Sequence, residues 1–501
     1  MSYLLALDQG TTSSRAIVFD ESGRIHATAQ REIHIETPHS GWVEQDAQEI
    51  WTTQIAVVQQ ALASAHLLAK DIKALGLTNQ RETTVVWDKR TGQALTSAIV
   101  WQDRRASGWC NQMIEQGHMQ LIQEKTGLRI DPYFSASKLV WLLEHVEGLR
   151  TLADQGHLAF GTIDSWLIWN LTQGAEHIIE ASNASRTMLM NLQTQSWDEE
   201  LLELFNIPCS VLPKIISSDC YVADTASGLL GSTIPIMGVL GDQQAALFGQ
   251  SCFEAGTAKN TYGTGCFMLF NTGTNVQFSQ NKLLTTLAWQ CQNQAHYALE
   301  GSVFMAGAIM QWLRDGLGII QKSSDTEKLA AQVKSSEGVV LVPAFTGLGA
   351  PHWDSEAGAM ICGMSRGTTK AHIARASLEA IAFQVSDVLS AMQADLDQPL
   401  KELRVDGGAS CNDMMMQFQA DLLNVPVLRP KLQESTAWGA AAMAGLKAGV
   451  FNSLDDLSAS WQLEREFIPQ MSEDERQQHL ARWKDALQRV RSDLSQFNKS
   501  K

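Results

Sequence analysis

Eight residues near the start of the chain, Asp8-Gln9-Gly10-Thr11-Thr12-Ser13-Ser14-Arg15, have side chains suited to holding an anion. Gly10 permits a tight turn. The small residues after it let backbone N–H groups close on a phosphate, as in other phosphate nests. Thr11, Thr12 and Ser13 add hydroxyl donors, and Arg15 can fork onto a phosphate. Asp8 ends an apolar run, where a hard cation such as Mg2+ could sit directly or through water. The Walker pattern G-x-x-x-x-G-K-[ST] is absent. Taken alone, the segment reads equally as a polar hairpin turn.

Two later stretches repeat the theme: Thr261-Tyr262-Gly263-Thr264-Gly265, and Gly407-Gly408-Ala409-Ser410 with Asn412 close behind. Three Gly-rich turns, each after a predicted strand, weigh more than one. Gly241-Asp242-Gln243-Gln244 places a single acid after the buried-strand pattern of residues 236–240. An Asp there could accept a hydroxyl proton during phosphoryl transfer, or it could cap the helix that follows. Thr78-Asn79-Gln80-Arg81-Glu82-Thr83 offers a donor in Arg81 and an acceptor in Glu82 to a small polyhydroxy ligand, and reads otherwise as a solvated turn. Trp101 could cover the carbon side of such a ligand or pack in the core.

The elements that must hold these residues follow from periodicity. Residues 3–7 and 16–19 are apolar runs that predict a hairpin around the first loop, with a third strand near 25–29. Helical spacing runs over 48–65, and strands are predicted at 74–77, 84–87 and 98–101, with a helix over 138–146. The second half starts afresh with strand, Gly-rich turn and strand over 259–270. A buried strand at 339–342, a helix over 372–392, a strand at 403–406 and a helix over 414–423 follow. The last helix opens with the capping-box pattern Ser472-Glu473-Asp474-Glu475; its inner face is Leu480, Trp483, Leu487, Val490 and Leu494, and the tail after Phe497 is polar. Alternation of strands and helices predicts an α/β fold. Leu7-Asp8-Gln9-Gly10 also echoes Val405-Asp406-Gly407-Gly408. The echo predicts two similar halves, residues 1–253 and 254–501, facing one cleft.

Composition bounds the function. The 501 residues exceed what one core supports, and 45% hydrophobic with 18% charged residues is a globular balance. A net charge of −16 excludes binding nucleic acid or an anionic membrane through the overall field, so an anionic ligand needs local donors. The eight cysteines include no C-x-x-C spacing, which argues against structural zinc and for reduced thiols. The N-terminal run lacks a basic head, so no secretory leader is expected. No stretch of about 18 apolar residues predicts a membrane span. The cytoplasm is the expected location.

These pieces, in this order, resemble the sugar and polyol kinase (FGGY) family, which shares the actin-like ATPase fold. The resemblance extends over essentially the whole chain and is closest to the members that act on glycerol. Leu7 through Arg15 resembles their first phosphate loop. Asn79 through Thr84 and Asp131-Pro132-Tyr133-Phe134-Ser135 are similar to their glycerol-contacting segments. Tyr133 through Trp141 fits one family motif, and Ala359 through Glu379, with Gly363, His372 and Ser377, fits a second. The resemblance implies two actin-like (ribonuclease H-like) ATPase domains facing a central cleft. It implies ATP-dependent phosphorylation of glycerol to sn-glycerol 3-phosphate, with Mg2+ and with Asp242 as general base. Arg81, Glu82, Tyr133, Asp242 and Gln243 would bind the hydroxyls, and Trp101 and Phe267 would pack on the carbons. Thr11, Thr12, Ser13, Arg15 and Thr264 would meet phosphate. Gly307, Gln311, Gly408 and Asn412 would border the nucleotide. A homo-oligomer, dimer or tetramer, is implied too.

The chain departs from the family pattern in three places. Members controlled by fructose 1,6-bisphosphate carry an Arg in a Gly-rich loop, and the matching Ala226-Ser227-Gly228-Leu229-Leu230-Gly231-Ser232-Thr233 has none. The His phosphorylated in other members has no counterpart over 221–226, and residues 469–476 differ from the surface that binds a phosphotransfer-system protein. Three alternatives compete. One is the same chemistry on another small polyol or ketose. The others are a nucleotide switch or filament protein without a polyol site, and an inactive scaffold.

Overall fold

The computed structural model describes residues 2–354, 356–396 and 399–492. Its frame is two sheets of like topology. In the first, β1 (Tyr3–Gln9), β2 (Ser13–Asp20) and β3 (Ile25–Glu32) run antiparallel in succession, while β4 (Ile72–Asn79) and β5 (Pro235–Gly241) lie parallel beyond β1. The spatial order β5-β4-β1-β2-β3 is extended at the β5 edge by the short strand Ala223–Asp224. In the second sheet, β6 (Ala258–Tyr262), β7 (Cys266–Gly273) and β9 (Gln294–Val303) are antiparallel in succession, and β10 (Leu403–Asp406) and β11 (Val427–Pro430) lie parallel beyond β6. One further strand adds at each edge, β8 (Leu284–Cys291) beside β9 and β12 (Leu463–Phe467) beside β11. The β1–β2 hairpin of one sheet is therefore the β6–β7 hairpin of the other, and β4 corresponds to β10.

Residues of β1 and β2 alternate between two cores, as the period of two requires. Leu5, Leu7, Ala16 and Val18 pack with Ile50, Val57 and Val58 of helix α1 (Ala47–Ser64). Leu4, Ala6, Ile17 and Phe19 pack on the opposite face with Ala437, Ala441 and Ala444 of α7 (Ser435–Lys447). Helix α7 follows the second sheet's last parallel strand, yet it lies on β1, β4 and β5 of the first. Its Ala- and Gly-rich surface makes that possible: a Cβ on Gly76 of β4 would stand 2.1 Å from the Ala440 carbonyl oxygen. Helix α3 (Asp242–Gly249), which follows β5, crosses α7 so closely that a Cβ on Gly439 would lie 1.8 Å from the Ala245 oxygen.

Most predicted elements form, within about three residues of their expected ends. These include α2 (Ser135–His145), α5 (Lys370–Asp395), α6 (Asp413–Leu423) and α8 (Glu473–Val490), where Ser472 caps by accepting from the Glu475 N–H. The strand expected over 98–101 ends at Ile99. Val100 N–H still donates to the Val43 carbonyl opposite it, but Val43 N–H is taken by Asp103 Oδ2 at 2.6 Å and Trp101 N–H donates to Thr83 Oγ1, which ends the pairing. Leu494 and the polar tail lie outside the described residues. The echo between Asp8 and Asp406 needs correction, because Asp8 stands on β1 whereas Asp406 ends β10, the counterpart of β4. Two halves of one topology exist, but the echo aligns unequal strands. Among the described residues no helix is long and apolar enough to cross a membrane.

Candidate active site

The segment from Thr78 to Thr84 is buried, so it is no solvated turn. Its backbone folds tightly: Glu82 sits at φ 59°, and Thr83 N–H donates to the Arg81 carbonyl at 2.7 Å. A non-glycine residue held at positive φ is strained, and such strain clusters at functional sites. The Glu82 carbonyl accepts from Ser135 Oγ at 3.0 Å, which ties the turn to the start of α2. A reciprocal amide pair between Asn79 and Asn183, 3.0 and 3.1 Å, fixes the end of β4.

Around this turn lies a buried network of charges. Arg81 Nε reaches Asp242 Oδ1 at 3.2 Å, and its two terminal nitrogens straddle Glu300 at 2.5 and 3.0 Å. Arg186 joins Glu82 Oε1 at 2.7 Å to Glu300 Oε1 at 2.9 Å. Asp242 is the first residue of α3, whose N-cap is Gly241, and its Oδ1 also accepts from the Gln243 N–H at 2.7 Å. With Oδ1 engaged by the Gln243 N–H and the Arg81 charge, Oδ2 is the oxygen that can take a proton. The Asp242 side chain keeps 28% of its surface exposed, enough for a ligand to reach it. Its pKa is pushed up to about 6, first by burial and further by the Glu82 charge, against the pull of Arg81 and Lys259. Glu300 is held down at about 2; burial opposes that, and the two arginines and Lys259 outweigh it.

Aromatic rings enclose the same space. Trp101 meets Tyr133 edge to face at 5.6 Å and Phe267, from the second sheet, at 6.2 Å. Trp101 Nε1 donates to Thr11 Oγ1 at 2.9 Å, so the indole joins this space to the first loop. Tyr133 is carried on a loop anchored by Lys138, whose buried Nζ donates to the carbonyls of Pro132 at 2.7 Å and Tyr133 at 2.6 Å. The Tyr133 hydroxyl is pushed well above its ordinary value, chiefly by burial and then by the Glu82 charge, so it stays protonated as a donor.

The remaining expected residues form two further groups. Thr264, Gly307, Gln311, Gly408 and Asn412 all line one cleft of about 500 Å3 in the second half. The β6–β7 turn is knitted to helix α4 (Gly307–Gln311) there, with Gly307 N–H donating to the Gly263 carbonyl at 2.9 Å. A Cβ on Gly307 would lie 2.6 Å from that oxygen, so only glycine fits. Asn412 Oδ1 caps α6 by accepting from Met415 N–H at 2.9 Å, which leaves its Nδ2 as the group a ligand could use. Thr11, Thr12 and Ser13 sit on the β1–β2 turn and do not line that cleft. Arg15 is not poised as a phosphate fork: Nη2 pairs with Asp8, and Nη1 pairs with Glu434 at 2.7 Å. Among the described residues no group of three or more His, Cys, Asp or Glu is arranged to hold a metal.

A ring-walled cluster of hydroxyl-binding groups, with a basic carboxylate in it, thus shares the β6–β7 hairpin with a glycine-turned cleft large enough for a nucleotide: Phe267 stands in the wall and Thr264 in the cleft. Models of the FGGY family of carbohydrate kinases match this chain twice, the N-terminal domain over residues 3–249 and the C-terminal domain over 258–448. The chain belongs to the FGGY family of carbohydrate kinases. Its similarity to single members is high. It is 80% identical to a glycerol kinase of Acinetobacter baylyi over 99% of this chain and all of that protein. It is 58% identical to a glycerol kinase of Deinococcus radiodurans, covering 98% and 97% of the two chains. Among solved structures, a glycerol kinase of Plasmodium falciparum with ADP superposes with a TM-score of 0.92 at 36% identity over 98% of each chain. A xylulose kinase of Lactobacillus acidophilus shares the fold with a TM-score of 0.88 at 22% identity over 99% and 100% of the two chains. Four residues escaped the sequence reading of this FGGY kinase: Arg186, Lys259, Glu300 and the anchoring role of Lys138. A lone acid after the apolar run Tyr297-Ala298-Leu299 was the signal available for Glu300.

Proposed function

We infer that this chain transfers the terminal phosphoryl group of ATP to glycerol, giving sn-glycerol 3-phosphate and ADP. The observation that carries this reading is the enclosed cluster of Arg81, Glu82, Tyr133 and Asp242 beneath the Trp101–Phe267 wall. Glycerol is small and uncharged, so convergent hydrogen bonds must fix it. Arg81, Tyr133 and Gln243 donate, Glu82 accepts, and the rings cover the carbons and exclude water. Asp242 Oδ2 takes the proton of the attacking hydroxyl as its oxygen bonds to the γ-phosphorus and the bond to the β-phosphate oxygen breaks in line. Thr264, Gly307, Gln311, Gly408 and Asn412 border the nucleotide, and Thr11, Thr12 and Ser13 present donors to the transferring phosphoryl group. Arg15 approaches the phosphate only by exchanging a carboxylate partner.

The donor set suits Mg2+ of the kind held chiefly by water and phosphates: the carboxylate of Asp8 is buried at a strand end, and among the described residues no protein cage surrounds it. When bound there, the ion would neutralise phosphate charge. We also propose a cytoplasmic homo-oligomer, in keeping with the family resemblance. A coupled ADP-release assay with and without glycerol tests the function. Turnover must depend on glycerol, and glycerol-independent hydrolysis alone would point to a nucleotide switch. Across a polyol panel, a pentulose clearly ahead of glycerol in kcat/KM would overturn the substrate assignment.

A further inference from the structure

Lys259 lies on β6 of the second sheet, yet its fully buried side chain crosses to α3 of the first half. Its Nζ donates to Gln243 Oε1 at 2.5 Å and to Thr261 Oγ1 at 2.9 Å. An ammonium has donors only. The oxygen of the Gln243 amide must therefore face Lys259, and its –NH2 must face the other way. An amide that could bind in either sense is thereby given one sense.

We propose that Lys259 is a positioning residue for polyol recognition, which turns the Gln243 amide so that its –NH2 donates to a substrate hydroxyl oxygen. This rests on the glycerol reading given above. The charged groups facing Lys259 are Asp406, Asp242 and Glu300, which favour its ammonium form, and Arg81, which opposes it. Burial brings its pKa down to about 8, so it remains mostly charged at neutral pH. The consequence reaches beyond one contact. Gln243 adjoins Asp242 on α3, so the second sheet sets how the first half presents its donors. Glu300 of β9 acts in the same direction on Arg81. An assembled polyol site thus requires both halves in place.

The test uses the full chain, with glycerol and ATP kinetics measured for the wild type, Lys259→Met, Gln243→Ala, the double variant and Gln243→Glu. Lys259→Met is expected to raise the glycerol KM about tenfold or more, the scale of a lost charged hydrogen bond, with a smaller change in kcat and none in the ATP KM. In the Gln243→Ala background the same substitution should add little, because its route is gone. An unchanged glycerol KM, or an equal further rise in the Gln243→Ala background, overturns the proposal. Gln243→Glu keeps the contact with Lys259 but removes the –NH2. It keeps the proposal open to refutation even where Lys259→Met fails to fold: the glycerol KM must rise, and an unchanged one overturns it. Wild-type protein inactive on glycerol would sink the functional reading itself, whereas an active wild type with unaffected variants sinks only this inference.

Discussion

Replacing Asp242 by Asn removes the proton acceptor while sparing its surroundings. Asn keeps an oxygen where Oδ1 stands 3.2 Å from Arg81 Nε and accepts from the Gln243 N–H at 2.7 Å, so the charged network should hold. What is lost is the basic Oδ2. Loss of an acid–base group costs about 100-fold or more in rate, which corresponds to ~2.7 kcal/mol of barrier. The nucleotide cleft is lined by second-half residues, so ATP affinity should be unchanged. The pH profile gives a second readout. With Asp242 titrating at about 6, wild-type kcat/KM should fall as pH drops through 6, reaching roughly one-tenth of its plateau at pH 5. The sign follows from which form works: the ionised carboxylate is active, and burial delays its ionisation. The Asn variant should show a flat profile there. Its stability should not fall, because a carboxylate held above its ordinary pKa is relieved of a desolvation cost. Stopped-flow and steady-state assays of ADP formation, with nucleotide binding by calorimetry, cover all of this. A variant with near-normal turnover, or one whose residual activity keeps the acid limb near pH 6, would refute the assignment of Asp242 as base.

Glu300→Ala should destabilise by about 3–5 kcal/mol in urea unfolding, because it strands the buried charges of Arg81 and Arg186. Glu180 is buried beside Asp164 and pushed up to about 7, so the folded chain holds its proton above the unfolded value. Wild-type stability should therefore fall, relative to Glu180→Gln, as pH rises from 4.5 towards 7, by no more than about 1.4 kcal/mol per pH unit. Lys138→Met should loosen the loop that carries Tyr133 and raise the glycerol KM more than the ATP KM, as steady-state kinetics would show. Removing Mg2+ with a chelator should abolish transfer without unfolding the chain, because no protein cage of ligands depends on the ion among the described residues.

Much of the fold was legible because its signals are local. The Gly-rich turns, the apolar runs of β1 and β2, and the long apolar stripe of α5 each declare themselves within a few residues. The polar loops were legible as chemistry for the same reason, since Arg81, Glu82 and Asp242 stand at strand ends. Helix α7 was not legible. Apart from Trp438, its Ser-Thr-Ala-Trp-Gly-Ala-Ala-Ala sequence is small, and it is buried almost all round, so it has no amphipathic stripe to find. Glu300 and Arg186 were missed because their partners lie far away in sequence; Glu300 is 219 residues from Arg81 and Arg186 is 104 from Glu82. The Asp8–Asp406 echo misled because two strand ends can share composition without sharing topology.

The crossing of α3 and α7 ties these strands of argument together, and it can be tested. Asp242 begins α3, and α3 is seated against α7, a helix from the other half of the chain. At Gly439 the two backbones touch, with no room for a Cβ, which would stand 1.8 Å from the Ala245 oxygen. Gly439→Ala must therefore push the helices apart. Overpacking of this kind costs typically ~1–3 kcal/mol, read as a lowered urea midpoint. A displacement of α3 also moves Asp242 relative to Arg81. A misplacement of ~1 Å at a reacting group can cost about 100-fold in rate. The folded variant should thus lose kcat while keeping its ATP affinity, although Gly439 is in neither site. If Gly439→Ala were less stable yet catalysed at the wild-type rate, the seating of α3 on α7 would be a matter of stability alone. The geometry of the base would then be set by the charged network around Arg81.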